Sequence, residues 1–435
     1  MSNRGLGVRW AGLSCALLVA ASSFASAQSD TPATYNASVS VFSGVTHTRV
    51  GERQDTTGSL GIQGAAGGRV SSGAHALTGR YSATAETRRQ DLVGDNNDSI
   101  NLVGASRYDF GYPAGRFDFN AGHTVRGVRN DTGFLVDLQS YDVQHAVNAG
   151  FGLNFWPTNL TTLRLSGQTA RTFEEKGRED GESYSAQAAL TRRWSQRTTI
   201  GATVGSNWSG RNSEDTTVDT AQLTFEQRLS NGSFSLAAGQ SRARQRELEV
   251  ETTTGNARRT WSSSQTTSAV YYDRSVSSTV LDLALGPLPA ELADLGLPES
   301  IRIQELNLRE TVGATVSTRR FCSLCRVSFL AEASSLEAQR QQLQSYEYRG
   351  RLGLSVDATP DQTVDLSYSW QGDAADKASE LTDQVHRVGL GWRRTLTEHA
   401  SVSASASQGF TRGETNREQF AARLSFTYGV QGALY

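Results

Sequence analysis

Long apolar runs are missing from this chain. Past residue 30 no stretch approaches the roughly 18 apolar residues that a membrane-spanning helix needs, which excludes a helical membrane protein. Lysine is nearly absent: Lys176 and Lys377 are the only two among 42 basic residues, and nothing in the sequence explains that bias. Charge of one sign is lacking too, since a net charge of −2 leaves no basic excess of the kind a nucleic-acid binder carries. Cysteine (three) and proline (seven) are sparse over 435 residues. A hydrophobic content of 37% with 8% aromatics is low for one large buried core. What the chain does have is glycine, 42 of them, and a persistent alternation of apolar and polar residues.

The first residues read as an address. Arg4 and Arg9 form a basic start, Ala11 to Ala21 an apolar run, and Ala25-Ser26-Ala27 the small-residue cleavage pattern before Gln28. This predicts a secretory signal peptide over residues 1–27, with 28–435 as the mature chain. Cys15 does not make it a lipoprotein signal, because Gly12 stands where a Leu is wanted and the apolar run continues past the cysteine. Without Arg4 and Arg9 the mature chain has a net charge near −4, and it enters an oxidising, non-cytoplasmic compartment.

Beyond residue 30 the period is two. Phe117, Phe119, Ala121 and Val125 interleave with Asp118, Asn120 and Arg126. Val147, Ala149, Phe151, Leu153 and Phe155 interleave with Asn148, Gly150, Gly152 and Asn154. Leu223, Phe225 and Leu229 alternate with Gln222, Glu226 and Arg228, and Phe420, Leu424, Phe426 and Tyr428 with Arg423, Ser425 and Thr427. Successive strand residues point to opposite faces, so each run makes a ribbon with one oily and one polar side.

Two architectures produce such ribbons: a soluble sandwich turns the oily sides together, whereas a membrane barrel turns them to lipid. The connections decide between them. Every second one is short, as at Gly111 to Gly115, Pro157-Thr158-Asn159, Asn231-Gly232, Thr359 to Gln362 and Glu398-His399. The others read as longer and polar: Gly51 to Thr57, Gln90 to Asp98, Glu174 to Glu182, Arg211 to Thr217, Glu247 to Arg258, Asp373 to Glu380 and Gly413 to Glu418. That asymmetry belongs to outer-membrane barrels. Runs of roughly 10–14 residues suit a tilted span. Aromatics at Phe155-Trp156 and Trp194 suit interfacial girdles. The expectation is an all-β, closed antiparallel transmembrane barrel of about 18 to 20 strands, with short periplasmic turns and longer extracellular loops. Even parity needs an upward strand near Ser275 to Leu285, followed by an outer loop over Gly286 to Leu295.

Chemistry is scarce. Cys322-Ser323-Leu324-Cys325 reads either as a redox or metal pair or as a disulfide closing a tight turn; the compartment favours the disulfide. A zinc site has no second cysteine pair or nearby histidine, and Arg326 stands where haem attachment wants His. The six histidines have no ligand spacing, and His123, His145 and His386 fall on the oily phase. Gly150-Phe151-Gly152 and Gly389-Leu390-Gly391 lie mid-strand with no helix to follow, and Asp95 to Asp98 lacks the glycine and glutamate of a calcium loop. No catalytic residue, metal ligand or cofactor is assigned, and no paired acid and base supports a hydrolase. The expectation is a non-enzyme.

One constellation remains. Arg116, Asp118, Arg126, Arg164, Arg193, Glu226, Arg228, Glu347, Arg349, Arg351, Asp365, Arg387, Arg393 and Arg423 share the polar phase. They suit either a lattice of ion pairs stiffening the wall or a mixed-charge pore lining that sorts solutes, and the two are compatible.

The signal peptide, the first hairpin around Val39 to Arg69, the Gly79-Arg80-Tyr81 strand and a closing strand rich in Phe and Tyr resemble the β-barrel porin-like proteins encoded with exopolysaccharide systems. Where those proteins often carry a Thr-Asp-Asn-Val-like step, this chain has Val45-Thr46-His47-Thr48. Tyr435 resembles the aromatic end of a barrel-assembly signal. The resemblance implies an outer-membrane channel or accessory barrel for a secreted polysaccharide, and no residue-level site. The partners expected are outer-membrane lipid and lipopolysaccharide, the barrel-assembly machinery and that polysaccharide, with no nucleic acid. The alternative is a structural barrel that sheathes or docks an envelope partner, prompted by the unusually apolar connection from Leu281 to Leu297.

Overall fold

The computed structural model describes residues 33–90, 96–112, 115–129, 141–174, 181–211, 214–245, 248–278, 306–338, 343–375, 381–413 and 416–434. The expected signal peptide, the 281–297 segment and Tyr435 lie outside them. Twenty strands follow one another in chain order, and no helix occurs among the described residues. They are β1 (Ala33–Val50), β2 (Arg53–Ser72), β3 (His75–Gln90), β4 (Asn96–Gly111) and β5 (Phe117–Arg129). Next come β6 (Tyr141–Thr158), β7 (Thr161–Glu174), β8 (Gly181–Arg193), β9 (Thr198–Arg211) and β10 (Glu214–Leu229). The second half begins with β11 (Gly232–Gln245), β12 (Leu248–Ser262), β13 (Thr266–Ser278), β14 (Leu306–Thr318) and β15 (Cys325–Ala338). It ends with β16 (Leu343–Thr359), β17 (Gln362–Ala374), β18 (Asp383–Thr395), β19 (Ala400–Arg412) and β20 (Arg417–Leu434).

Each strand pairs antiparallel with its neighbours in sequence, and β1 pairs with β20 from Ala33↔Leu434 to Val50↔Arg417. The sheet therefore has no free edge. Closure matters because an unpaired N–H or C=O in hydrocarbon costs several kcal/mol.

The strands are longer than periodicity suggests, at 13 to 20 residues. Three of the polar connections are corrected accordingly. Gly51 to Thr57 is a two-residue turn at Gly51-Glu52, with Gly51 at φ 59°, and β2 starts at Arg53. Arg211 to Thr217 and Glu247 to Arg258 are mostly strand, in β10 and β12. The reason is physical: where a hairpin rises beyond the oily belt, both faces meet water and alternation vanishes although the ladder continues. Asp219↔Arg242↔Glu251 is one such row on the outward face, and Arg244 donates to Asp219 at 2.6 Å there.

At the opposite, short-turn end, Trp194 and Phe321 are well exposed, and Trp156 sits where the β6–β7 register shifts between Phe155 and Thr158. Cys322 and Cys325 form a disulfide in the turn between β14 and β15, with Cα atoms 5.3 Å apart. In the β16–β17 turn, Asp361 accepts from Thr359 Oγ1 at 2.5 Å and from Arg394 Nε at 3.3 Å. The Thr359 hydroxyl first, and then the Arg394 guanidinium, hold its carboxyl below the usual carboxylate range. A lowered value favours the folded state above the ordinary carboxylate pKa, and that contribution fades as pH falls through the lowered one. Asp361→Asn is therefore expected to lower thermal stability slightly at neutral pH, with the difference from the parent closing as pH falls below about 4.

Candidate functional site

A closed sheet has a concave and a convex face, and register assigns every described side chain to one of them. Side chains converge on the concave face and splay on the convex one. The crowded phase here is the polar one: Ser241 and Thr254 are 4% and 6% exposed, while Leu223 and Leu60 on the other phase are 70% and 61% exposed. The polar phase is thus the inner wall and the apolar phase the outer belt, the inverse of a water-soluble domain.

The wall is built from two kinds of contact. On β10 to β12 hydroxyls link across strands: Thr220 to Ser241 at 3.0 Å, Ser241 to Thr254 at 2.9 Å, with the Gln222 amide donating to Thr254 at 3.3 Å. Elsewhere charges do the linking. Arg164 reaches from β7 to Asp118 on β5 at 2.8 Å and donates to Asn154 on the intervening β6 at 3.1 Å. Arg349 pairs with Glu347 at 2.6 Å and lies 3.8 Å from Glu332, which accepts from Tyr271 at 2.7 Å. Substantial contacts run only between strands adjacent, or next but one, in the sheet, so among the described residues none of the strands is packed across the interior.

Register sets Asp118, Arg164, Arg193, Glu226, Arg228, Glu347, Arg349, Arg351, Asp365, Arg387, Arg393 and Arg423 all on the polar phase. It brings Asp118 to Arg164 and Glu347 to Arg349, but leaves Arg193, Arg228, Arg351 and Arg393 without a carboxylate in ion-pair reach among the described residues. Arg116 stands on the bend before β5 at the short-turn rim, where its carbonyl accepts from the Asn154 N–H at 2.8 Å. The side chain of Arg126 lies outside the described ones. Sequence reading missed several residues on the same phase, including Arg80, Arg258, Arg309 and Glu332. Their local alternation is blurred, and only register counted across from neighbouring strands recovers them. It also missed Phe42, an inward aromatic 3% exposed, which lies over Gly61 with the Arg423 guanidinium 3.7 Å from its ring centre.

The three outward histidines are accommodated by partners on the same face. His123 lies between the Tyr81 hydroxyl at 3.0 Å and His145 at 3.1 Å, and His386 meets the Tyr368 hydroxyl at 2.9 Å. No grouping of three or more His, Cys, Asp or Glu able to hold a metal occurs among the described residues.

Fold and wall together define an antiparallel β-barrel of the outer-membrane type, oily outside and polar inside. No protein-family model matches the chain, and no curated protein matches it. Among solved structures it is similar to the ferric-catecholate import receptor Fiu from E. coli K12, at 10% identity and TM-score 0.49 over 93% of this chain and 82% of that one. It is also similar to Pseudomonas aeruginosa OccK2, at 10% identity and TM-score 0.40 over 92% of this chain and 98% of that one.

Proposed function

We propose that this chain is an outer-membrane barrel whose lumen is an aqueous passage, working by width and wall chemistry and without catalysis. The observation that carries the reading is the polarity of the closed sheet. An oily exterior calls for lipid around it, and a wall of hydroxyls, amides and charges calls for water within. Barrels of 16–18 strands hold an aqueous channel and 22-stranded ones hold a plug. With twenty strands and no strand packed across the interior among the described residues, an open lumen is favoured.

Refolded protein in a planar bilayer is expected to give discrete conductance steps; a bilayer that stays sealed at every voltage overturns the passage. Location has its own readout. Membrane fractions run unboiled should migrate differently from boiled ones, as a detergent-resistant barrel does.

The cargo we propose, a secreted polysaccharide, rests on the resemblance to porin-like proteins of exopolysaccharide systems. Polar hydroxyl strings such as Thr220–Ser241–Thr254 suit a carbohydrate sliding along the wall. Deleting the gene should trap polymer in the periplasm. Unchanged export would remove the cargo and leave the passage standing.

A further inference from the structure

The charge of the inner wall runs against the charge of the chain. Over the whole sequence acids outnumber bases, 44 to 42. Counted round the inward phase among described side chains, seventeen arginines face eleven aspartates and glutamates, with no lysine. The acidic surplus therefore belongs to the rest of the sequence.

Pairing inside the wall does not cancel the basic excess. Arg107, Arg164 and Arg349 have carboxylates at 2.8, 2.8 and 2.6 Å. Arg80, Arg326, Arg351 and Arg393 have none within ion-pair distance among the described residues. Arg351 and Arg387 flank Ser369 in one register row, so two guanidinium groups occupy strands about 10 Å apart, from two inter-strand steps. Held in a low-dielectric shell, such an excess focuses a positive potential along the lumen.

We infer that the passage selects anions, and among them oxyanions such as carboxylates and phosphates. The first half follows from net wall charge, as it does for charged rings in other pores. The second follows from the use of Arg alone, because a planar guanidinium holds an oxyanion through two parallel hydrogen bonds whereas an ammonium is a point charge. Guanidinium groups also stay charged across the accessible pH range, so the preference is independent of pH on the basic side. The inference rests on the passage proposed above and deepens it by naming the solute class.

The test is the reversal potential of the refolded protein under a KCl gradient. Chloride is expected to permeate severalfold better than potassium near 0.1 M salt, approaching parity near 1 M as the screening length falls from about 10 to about 3 Å. Acetate and phosphate should permeate better than their size relative to chloride allows. Replacing Arg80, Arg351 and Arg393 together with Gln should lower the anion-to-cation ratio by roughly two- to threefold. The corresponding triple Lys variant should retain the ratio and lose the oxyanion preference. A wild-type pore that is unselective or prefers potassium overturns the inference while the passage stands. Triple Gln variants with an unaltered ratio overturn the role given to these arginines. Absence of any conductance overturns the passage itself, and the selectivity with it.

Discussion

Leu366→Arg is expected to destabilise the lipid-folded barrel by about 2–4 kcal/mol, whereas Ser367→Arg, the next residue along, is expected to change it by well under half as much. Leu366 is 47% exposed on the outward phase of β17 and lies in register between Leu354 and Leu390. A guanidinium there replaces an oily contact at the belt. Ser367 faces the lumen between Gly353 and Gly389, where glycine on either side leaves room and water can solvate the new charge. Urea titrations of the two variants in phospholipid vesicles measure the difference. Equal costs, or the reverse order, would mean that hydrocarbon does not cover the apolar phase.

A second large effect is expected at the β10–β11 hairpin. Gly232 has φ 146°, and a Cβ built there would lie 2.0 Å from the Thr260 carbonyl oxygen of β12. The obstacle is backbone, not the movable end of a side chain, so both the turn and the adjoining strand must shift. Gly232→Val should therefore cost at least about 1–3 kcal/mol, the usual range for a residue forced into a sparsely populated conformation. Asn231→Ala keeps the Asn231 carbonyl that accepts the Ser262 N–H at 2.8 Å, and should be tolerated. The same vesicle titration reads both variants. A valine at 232 as stable as glycine would show that the hairpin adopts a different turn.

Much of the barrel is legible in the amino acids, where one face meets lipid. Phe420 to Tyr428 reads as a strand because lipid on one side and water on the other enforce strict alternation. Legibility fails where that contrast ends. Asp215, Asp219, Arg242 and Glu249 lie on the outward phase above the belt and look like loop, because water covers both faces of their hairpins. The site was half readable for a similar reason. Arg349 and Arg351 announce their phase through Tyr348 and Leu352, whereas Arg80 sits in Gly79-Arg80-Tyr81, where a neighbouring glycine carries no polarity.

By itself, then, the order of residues determined which side of each ribbon is oily, and with it the need for lipid outside and water inside, since a period of two is a local property of the backbone. Which charges meet is not local. Arg164 finds Asp118 across two strand boundaries, Ser40 finds Thr427 at 2.8 Å from the far end of the chain, and Arg351 finds no carboxylate among the described residues. Only register round a closed cylinder fixes those neighbours, and so only the tertiary structure decided that the inner wall of an acidic chain is basic.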